Sequence, residues 1–350
     1  MISSPEDYGL SPADTLSHHV DAVAPEGFAR FWEEFRQEIA AIEPAIVIPL
    51  RGTTCRLEIP SMDGLIIRAQ AWLPAGSPRA VMVTSHGYDH VPGSFDLAFP
   101  GLLEQNVAVV EVRVRGFLPS PAPPSMPSST LTWIEADLGK PDRWIVRGAV
   151  ADLICACRVV SRRMAAPLIL HGSSFGGGLA TLAAAQMTLL GEPPDRLALE
   201  LPSFGAWRWR HRRYCNGIGG TINQWTDAMR RDVDSFLEHL SLFDAVLHAP
   251  DVYTPTFCKL ALRDDTVPAP SAAAIYNALK APIKTRFIVP YGHFDGGLLN
   301  ARRHAMFDRL LSSWCHPGIE PAEFIDTHKS ECEAGLSLLN VSSDCWTAGG

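Results

Sequence analysis

The segment that most constrains the fold is residues 167–178, which read PLILHGSSFGGG. An apolar, strand-like run leads into the pattern GSSFG, and a helix of small residues, LATLAAAQM, follows directly. A G-x-S-x-G pattern between a strand and a helix predicts a sharp, strained turn that presents Ser174 at the end of a sheet. Gly172 and Gly176 are required there because a Cβ would collide with the neighbouring strand or helix. A glycine- and serine-rich turn is the plain alternative, but the flanking elements favour a nucleophile.

Short apolar strands alternate with helical segments through most of the chain. Near-continuous apolar strands of this kind are typical of a mostly parallel sheet covered on both faces, which is an α/β fold. An amphipathic helix at residues 28–41 and an antiparallel hairpin at residues 53–60 and 65–73 precede the alternation. The strands are predicted at residues 80–85, 107–112, 167–170, 196–200, 256–262 and 285–290, and the main helices at 143–163, 177–190, 269–280 and 297–314.

The same pattern divides the chain into three parts. Residues 1–45 form an N-terminal arm and helix, residues 46–315 form the catalytic domain, and residues 316–350 form a polar extension. The extension shows little periodicity, and we expect it either to be flexible or to pack on the surface. The proline-rich residues 119–127 are interpreted as a stiff surface loop because the alternation continues beyond them.

Charge and composition exclude several classes of function. The formal net charge of -8 argues against a nucleic-acid-binding surface. The N-terminus lacks the basic and apolar regions of a secretory signal, and no apolar run is long enough to span a membrane. The eight cysteines are irregularly spaced, so we expect reduced thiols in a cytoplasmic protein. Cys155 and Cys157 resemble a metal or redox pair only weakly, and core packing in a helix is the favoured interpretation.

A serine nucleophile needs a base, and the base needs an orienting carboxylate. In folds with this type of turn, the acid and then the histidine follow the serine along the chain. Asp264 and Asp265 directly follow the strand at residues 256–262, and His293 follows the strand at 285–290. We therefore predict His293 as the base. Asp264 is favoured as its partner because it lies nearer the strand end, with Asp265 as the alternative.

Acyl transfer also requires hydrogen-bond donors for the oxyanion. The first is expected to be the backbone N–H of Phe175, the residue after the nucleophile. The second is expected in the loop after the strand at residues 80–85, where the sequence continues His86-Gly87-Tyr88 and the N–H of Tyr88 is the candidate.

With these residues placed, the chain resembles the alpha/beta-hydrolase superfamily and, within it, the acetyl xylan esterase/cephalosporin C deacetylase family (carbohydrate esterase family seven). The resemblance covers about residues 28–314. It rests on the segments FWEE at 31–34, SHGY at 85–88, SFGGGLA at 174–180, LSLFD at 240–244 and IYN at 275–277. It places the family's acid on Asp264. It implies deacetylation of small acetylated sugars or related esters, without a cofactor or metal, often in ring-like homo-oligomers.

Three departures from the family pattern replace a polar residue by phenylalanine. Phe117 stands where the family has Gln, Phe175 also stands where it has Gln, and Phe294 stands where it has Glu. We predict that the surroundings of the triad are therefore more apolar, and that the natural ester need not be an acetylated sugar. Arg115 either braces the loop around the site or is a solvated surface arginine. Phe117, Phe294, Trp207 and Arg115 are the candidate substrate-binding residues.

Aromatic residues in two segments are candidates for substrate contact, although packing of irregular segments is the more common role. Trp207 begins a basic run, WRWRHRR, that would suit an anionic substrate, but a salt-bridged face is the favoured interpretation. The tryptophans concerned are Trp133, Trp144, Trp207, Trp209 and Trp225.

The sequence therefore predicts a serine esterase that deacetylates a small molecule, an acetylated sugar or a related ester, with no nucleic-acid or membrane partner. Two alternatives stay open at this point. The same triad could serve an acyltransferase or an amide or carbon–carbon bond hydrolase, or the fold could be kept by a non-catalytic binding protein.

Overall fold

The computed structural model describes residues 8–44, 53–88, 95, 97–126, 130–229, 232–293 and 297–339. Within these ranges one sheet of eight strands forms the centre of the molecule. The strands are β1 Thr54–Pro60, β2 Ile66–Trp72, β3 Ala80–Ser85, β4 Val107–Arg113, β5 Leu168–Ser173, β6 Arg196–Glu200, β7 Thr256–Ala261 and β8 Lys284–Val289. The helices are α1 Pro12–Leu16, α2 Phe28–Ala41, α3 Pro100–Glu104, α4 Ile145–Arg163, α5 Phe175–Leu189, α6 Trp207–Arg210, α7 Gly217–Ala228, α8 Val233–Ser241, α9 Ala245–His248, α10 Ala269–Ala278, α11 Gly297–Cys315, α12 Pro321–Glu333 and α13 Gly335–Leu338.

The sheet is mostly parallel, and its topology determines where a site can form. The strand order is β1-β2-β4-β3-β5-β6-β7-β8. The pairs β1–β2 and β2–β4 are antiparallel, whereas β4, β3, β5, β6, β7 and β8 pair in parallel. The carboxyl ends of β3, β5, β7 and β8 therefore lie at one edge of the sheet, which is where open α/β sheets bind ligands. The α/β-hydrolase architecture predicted from the sequence is confirmed.

Two apolar layers cover the sheet. One contains residues of α2, α4, α5 and α10, and the other contains residues of α3, α11 and α12. Every residue of β3, β4 and β7 is buried, which agrees with their continuous apolar sequences. Burial on both faces explains why the period-two alternation of a half-exposed strand appears only in β1 and β2.

The predicted elements are found close to their expected bounds, and one difference bears on the site. Strand β5 continues three residues beyond the predicted Leu170 and ends at Ser173. His171 and Gly172 pair with the neighbouring strands in regular register, so polar and small residues extend an apolar strand. The sheet therefore reaches the residue immediately before Ser174.

The C-terminal extension contains helical structure that its sequence did not predict. Residues 321–333 form α12, which packs beside β8 and buries Phe324 and Cys332. Arg303 of α11 ties these elements together: its Nη2 donates to the carbonyl of Ile288 at 2.8 Å and to that of Glu331 at 3.1 Å. The outermost strand β8 is thereby covered, which protects its unpaired backbone groups.

None of the helices in the described ranges is both long and apolar enough to cross a membrane.

Candidate active site

Ser174 lies in a strained turn between β5 and α5. Its backbone has φ 55° and ψ −111°, a conformation that side chains other than glycine rarely adopt. The N–H of Ser174 donates to the carbonyl of Glu200 at 2.7 Å, and its carbonyl accepts from the N–H groups of Gly178 and Ser203 at 3.1 Å. These three backbone bonds hold the turn from both sides, and the Ser174 side chain is left partly exposed.

The two glycines of the turn are enforced by contacts with backbone atoms. A Cβ on Gly172 would overlap the carbonyl oxygen of Gly176. A Cβ on Gly176 would lie 2.5 Å from the carbonyl oxygen of Ser85, at the end of β3. Backbone atoms cannot rotate away as a flexible side chain can, so the turn, the helix and the neighbouring strand approach this closely only with glycine at both positions.

Asp264 and His293 form a buried hydrogen-bonded pair. The Nδ1 of His293 lies 2.7 Å from Oδ2 of Asp264, and both side chains are almost fully buried. The other carboxylate oxygen, Oδ1, accepts from the backbone N–H groups of Thr266 and Val267, each at 2.9 Å. Because a carboxylate only accepts, Nδ1 carries a proton, and the neutral ring takes up a further proton at Nε2.

The structure distinguishes between the two adjacent aspartates. Asp265 accepts from the side-chain amide of Asn216 at 2.8 Å, and its backbone carbonyl accepts from the N–H of the same residue at 2.7 Å. It therefore anchors the loop before α7, whereas Asp264 contacts His293.

The parallel topology brings these residues to one edge of the sheet. Ser174 follows β5, Asp264 comes shortly after β7, and His293 comes shortly after β8. A cavity of about 320 Å³ opens at this edge, and Ser173 and His293 both line it. The remaining residues in its wall are Glu200, Leu201, Lys259 and His304.

The two residues that carry the candidate oxyanion donors have neighbouring side chains. Phe175 is the first residue of α5, where a backbone N–H has no acceptor within the helix. Tyr88 lies in the loop after β3, and its hydroxyl accepts from the N–H of Ile134 at 3.0 Å. The rings of Tyr88 and Phe175 are 5.6 Å apart, centroid to centroid. The loop and the helix N-terminus therefore meet beside Ser174, and donation to an oxyanion stays a prediction.

Two of the three substituted phenylalanines pack together. The rings of Phe117 and Phe175 are 5.8 Å apart, and both are buried. Trp133 contacts both, with centroid distances of 5.4 Å to Phe117 and 5.0 Å to Phe175. Phe294 lies outside the described residues. An apolar cluster therefore stands next to the turn where the family carries two polar side chains.

Arg115 is buried and joins two parts of the protein through ion pairs. Its Nη2 and Nε donate to Asp152 at 2.8 and 3.0 Å, and its Nη1 donates to Asp63 at 2.6 Å. Burial alone would lower the pKa of Arg115, but the two carboxylates hold this pKa above its ordinary value. The alternative of a solvated surface arginine is wrong, because the guanidinium joins the β1–β2 hairpin to α4. A direct contact with substrate stays a prediction.

Trp207 is buried in the segment that follows β6. Its backbone N–H donates to Asp244 at 2.9 Å, and Asp244 also accepts from the backbone N–H of Val246 at the start of α9. Burial raises the pKa of Asp244, although three backbone donors and Arg210 oppose this shift. Trp133 and Trp144 are likewise buried, whereas Trp209 and Trp225 are only partly so. Stacking by any of these rings on a substrate stays a prediction.

The basic run that begins at Trp207 is occupied by contacts within the protein. Arg210 stacks over the ring of Trp207 at 4.7 Å, and Arg213 stacks over Trp209 at 4.4 Å. Arg208 lies 3.6 Å from the carboxylate of Asp234. Stacking or a salt bridge thus engages Arg208, Arg210 and Arg213, which supports the favoured interpretation of the sequence.

Cys155 and Cys157 are packed in the core of α4. Burial raises the pKa of Cys155 to about 12 and that of Cys157 further still. No group of three or more His, Cys, Asp or Glu side chains able to hold a metal ion occurs in the part of the chain that the structure describes.

A line of polar side chains beside this site was missed from the sequence. His171, Glu200 and Lys259 lie on successive strands β5, β6 and β7, and His304 lies on α11. The nitrogen Nε2 of His171 is 2.8 Å from Glu200, Glu200 is ion-paired with Lys259, and Lys259 Nζ is 3.1 Å from Nδ1 of His304. The available signal was an ionisable residue near the end of each of three otherwise apolar strands.

The comparison with protein families decides what kind of protein carries this geometry. A model of the acetyl xylan esterase family matches residues 12–309. The chain belongs to the acetyl xylan esterase family. As a member of this family it is a serine carboxylic ester hydrolase.

Solved structures of family members share its fold. The chain superposes on an acetyl xylan esterase from Paenibacillus sp. R4 with a TM-score of 0.73 and 21% identity, covering 86% of this chain and 99% of that one. For acetyl xylan esterase 1 from Thermoanaerobacterium sp. the TM-score is 0.72 and the identity 19%, with coverage of 86% and 98%. An acylaminoacyl peptidase from Pyrococcus horikoshii is more distant, with a TM-score of 0.55, 16% identity, and coverage of 78% of this chain and 44% of that one.

Proposed function

We propose that Ser174, His293 and Asp264 hydrolyse a small-molecule carboxylic ester, most simply an acetyl ester, through an acyl-enzyme. The observation that carries this proposal is the buried pair of Asp264 and His293 at the sheet edge where Ser174 stands in its strained turn. Membership of the acetyl xylan esterase family supports the same chemistry.

In the first half-reaction Ser174 Oγ attacks the ester carbonyl as His293 Nε2 takes its proton. The resulting imidazolium returns this proton to the leaving alcohol, which departs and leaves Ser174 acylated. In the second half-reaction His293 takes a proton from water, hydroxide attacks the acyl carbonyl, and the proton then returns to Ser174. Asp264 orients the imidazole through Nδ1 in both half-reactions, while its other carboxylate oxygen is held by two backbone N–H groups.

The negative charge that develops on the carbonyl oxygen is assigned to the N–H groups of Phe175 and Tyr88. Such donors are fixed before the reaction begins, and removal of one typically costs about 3 kcal/mol of transition-state stabilisation. The N–H of Phe175 also lies at the positive end of α5, a helix of 15 residues.

The substrate is assigned as an acetylated small molecule whose alcohol need not be a sugar. Solved structures of similar fold are named acetyl xylan esterases, which favours an acetyl group. Phe117 and Phe175, whose buried rings pack with Trp133 next to the nucleophile, replace two polar side chains that the family resemblance implies, which leaves the alcohol open to groups other than a sugar. All seven cysteines in the described residues are free, which favours a reducing compartment such as the cytoplasm.

The test compares the hydrolysis of nitrophenyl acetate, butyrate and octanoate by the wild-type enzyme and by Ser174→Ala. We expect the acetate to be the best substrate, and Ser174→Ala to lose activity roughly a millionfold on every ester. A preference for octanoate would keep the triad but contradict the acetyl assignment. Equal activity of wild type and Ser174→Ala would contradict the proposed function. Faster acyl transfer to an added alcohol than to water would identify an acyltransferase.

A further inference from the structure

The polar side chains beside the candidate active site form a continuous buried chain across the sheet. Thr84 of β3 lies 2.7 Å from Nδ1 of His171, and Nε2 of His171 lies 2.8 Å from Glu200. The second oxygen of Glu200 is ion-paired with Lys259, whose Nζ lies 3.1 Å from Nδ1 of His304. Apart from His304, these side chains are almost fully buried. Charges in such surroundings are retained only when they are paired.

Within this network of side chains, the charges of Glu200 and Lys259 compensate each other. Burial alone would raise the pKa of Glu200, but Lys259 and the hydrogen bond from His171 hold it well below its ordinary value. Burial and the neighbouring Lys259 together lower the pKa of His304 to about 4. Glu200 is therefore an anion and His304 a neutral ring over the pH range in which a serine esterase works.

The His304 end of this network reaches the loop that carries His293. The Nζ of Lys259 lies 3.1 Å from Nδ1 of His304, and the other ring nitrogen, Nε2, lies 3.3 Å from the side-chain amide nitrogen of Asn300. That amide donates to the carbonyl of Gly292 at 3.0 Å. Gly292 immediately precedes His293, so Asn300 of α11 holds the peptide on which the base is mounted.

The middle of this network is tied to the turn that carries the nucleophile. The backbone carbonyl of Glu200 accepts the N–H of Ser174 at 2.7 Å, so the residue that pairs with Lys259 also anchors the turn. Glu200, Lys259 and His304 share one cavity wall with His293. The network thus links Ser174 and His293, and the separation of these two residues decides whether a proton can pass between them.

We propose that Lys259 is a positioning residue for the base: through His304 and Asn300 it holds the Gly292 peptide, and with it His293, in place opposite Ser174. This inference rests on the proposed function, because it assigns a task to groups that do not touch the reacting atoms. Displacement of a catalytic group by about 1 Å can reduce the rate on the order of a hundredfold, so a clamp of this kind acts on kcat.

The test compares Lys259→Met with Lys284→Met as a matched control. Lys284 is also a partly buried lysine, at the start of β8, but it donates to the carbonyls of Tyr276 and Leu279 at the end of α10. We expect Lys259→Met to lower kcat by roughly ten- to a hundredfold with little change in KM. Lys284→Met should lower thermal stability and leave kcat unchanged.

Two further variants separate positioning from charge and from folding. His304→Gln keeps an acceptor and a donor in one planar group and should retain most of the activity, whereas His304→Leu should match Lys259→Met. The double variant Lys259→Met/Glu200→Gln removes both charges of the pair, so it tests positioning even if Lys259→Met does not fold.

The pH profile adds a readout that a purely structural role would not move. Within the described residues, the charged or titratable groups that contact His293 or line this cavity with it are Asp264, Glu200, Lys259 and His304. In Lys259→Met the uncompensated Glu200 should shift the acidic limb of kcat/KM to higher pH, and in Glu200→Gln the uncompensated Lys259 should shift it to lower pH. In the double variant the limb should return toward wild type while kcat stays low.

Unchanged kcat in Lys259→Met and His304→Leu, or equal loss in His304→Gln and His304→Leu, would overturn the positioning role. A failure of Ser174→Ala to abolish ester hydrolysis would instead overturn the proposed function, so the two failures are distinguishable.

Discussion

At the scale of single residues, the pairing of Asp264 with His293 is the most specific interaction in the site. One carboxylate oxygen is held by two backbone N–H groups and the other by the imidazole. We expect Asp264→Asn to lower kcat by roughly 10⁴-fold, because an amide does not hold the required tautomer. Steady-state kinetics on nitrophenyl acetate measures this effect. Asp265→Asn is the matched control, and a comparable loss in that variant would contradict the assignment.

A second residue-scale prediction concerns His248, which is fully buried between α8 and α5. Its Nδ1 lies 3.1 Å from the amide nitrogen of Gln186, and its Nε2 lies 3.0 Å from the carbonyl of Leu242. Burial lowers its pKa from 6.5 to about 4. Between these values the unfolded chain binds a proton that the folded chain does not, so stability is complete above pH 6.5 and falls as the pH drops toward 4.

The full effect of His248 is about 3 kcal/mol of unfolding free energy, lost progressively over that window. Urea unfolding at about pH 7.5 and about pH 5 measures it. His248→Gln, which keeps both hydrogen bonds but does not titrate, should flatten the dependence. His19→Gln, at an exposed position, should leave it unchanged. An identical pH dependence in wild type and His248→Gln would contradict the prediction.

At the scale of elements, the close approach of β5, α5 and β3 depends on glycine. Gly172→Ala forces a Cβ against the carbonyl of Gly176, and we expect the unfolding free energy to fall by about 1–3 kcal/mol. Chemical denaturation measures the change. Gly101→Ala in α3 is the control, because its Cβ meets no atom within 4 Å. Equal stability of the two variants would show that the turn can relax.

A second element-scale prediction concerns α12, which covers the outermost strand. Phe324 is buried against Phe257 and Trp314, with ring centroids 5.1 and 5.2 Å away. We expect Phe324→Ala to lower the unfolding free energy by about 3–5 kcal/mol, because it leaves a cavity behind β7. Thermal unfolding compares it with Glu323→Ala, an exposed neighbour on the same helix. A small loss in Phe324→Ala would mean that α12 contributes little to the core.

At the scale of the whole molecule, the sheet and its carboxyl edge could be predicted because two signals agree. Apolar strand runs at regular intervals fix the class of fold, and the strand–turn–helix pattern around Ser174 fixes the edge that carries the site. Strand β3 and helix α2 have the predicted bounds because a fully apolar run and a helical stripe leave little freedom at their ends. The contact of His293 with Asp264 follows from this topology.

The remaining features depend on tertiary contacts that a single sequence does not display. Helices α7 and α8 have 12 and nine residues, and the side chains of their N-cap residues Asn216 and Asp232 make no capping bond, so tertiary packing supplies most of their stability. Helix α12 is polar over most of its surface and is stabilised by packing on β8. The buried chain from His171 to His304 joins residues more than a hundred positions apart, so only the folded sheet brings them together.

The central claim is that Ser174 is the nucleophile, and covalent labelling tests it most directly. We treat three proteins with diethyl nitrophenyl phosphate: the wild-type enzyme, Ser174→Ala and Ser173→Ala. An activated serine takes the diethylphosphoryl group and nitrophenolate departs, and the labelled peptide is then sequenced by mass spectrometry. We expect one diethylphosphoryl group on Ser174 in the wild-type enzyme and in Ser173→Ala, and none in Ser174→Ala. A label on Ser173, or stoichiometric labelling of Ser174→Ala, would contradict the account.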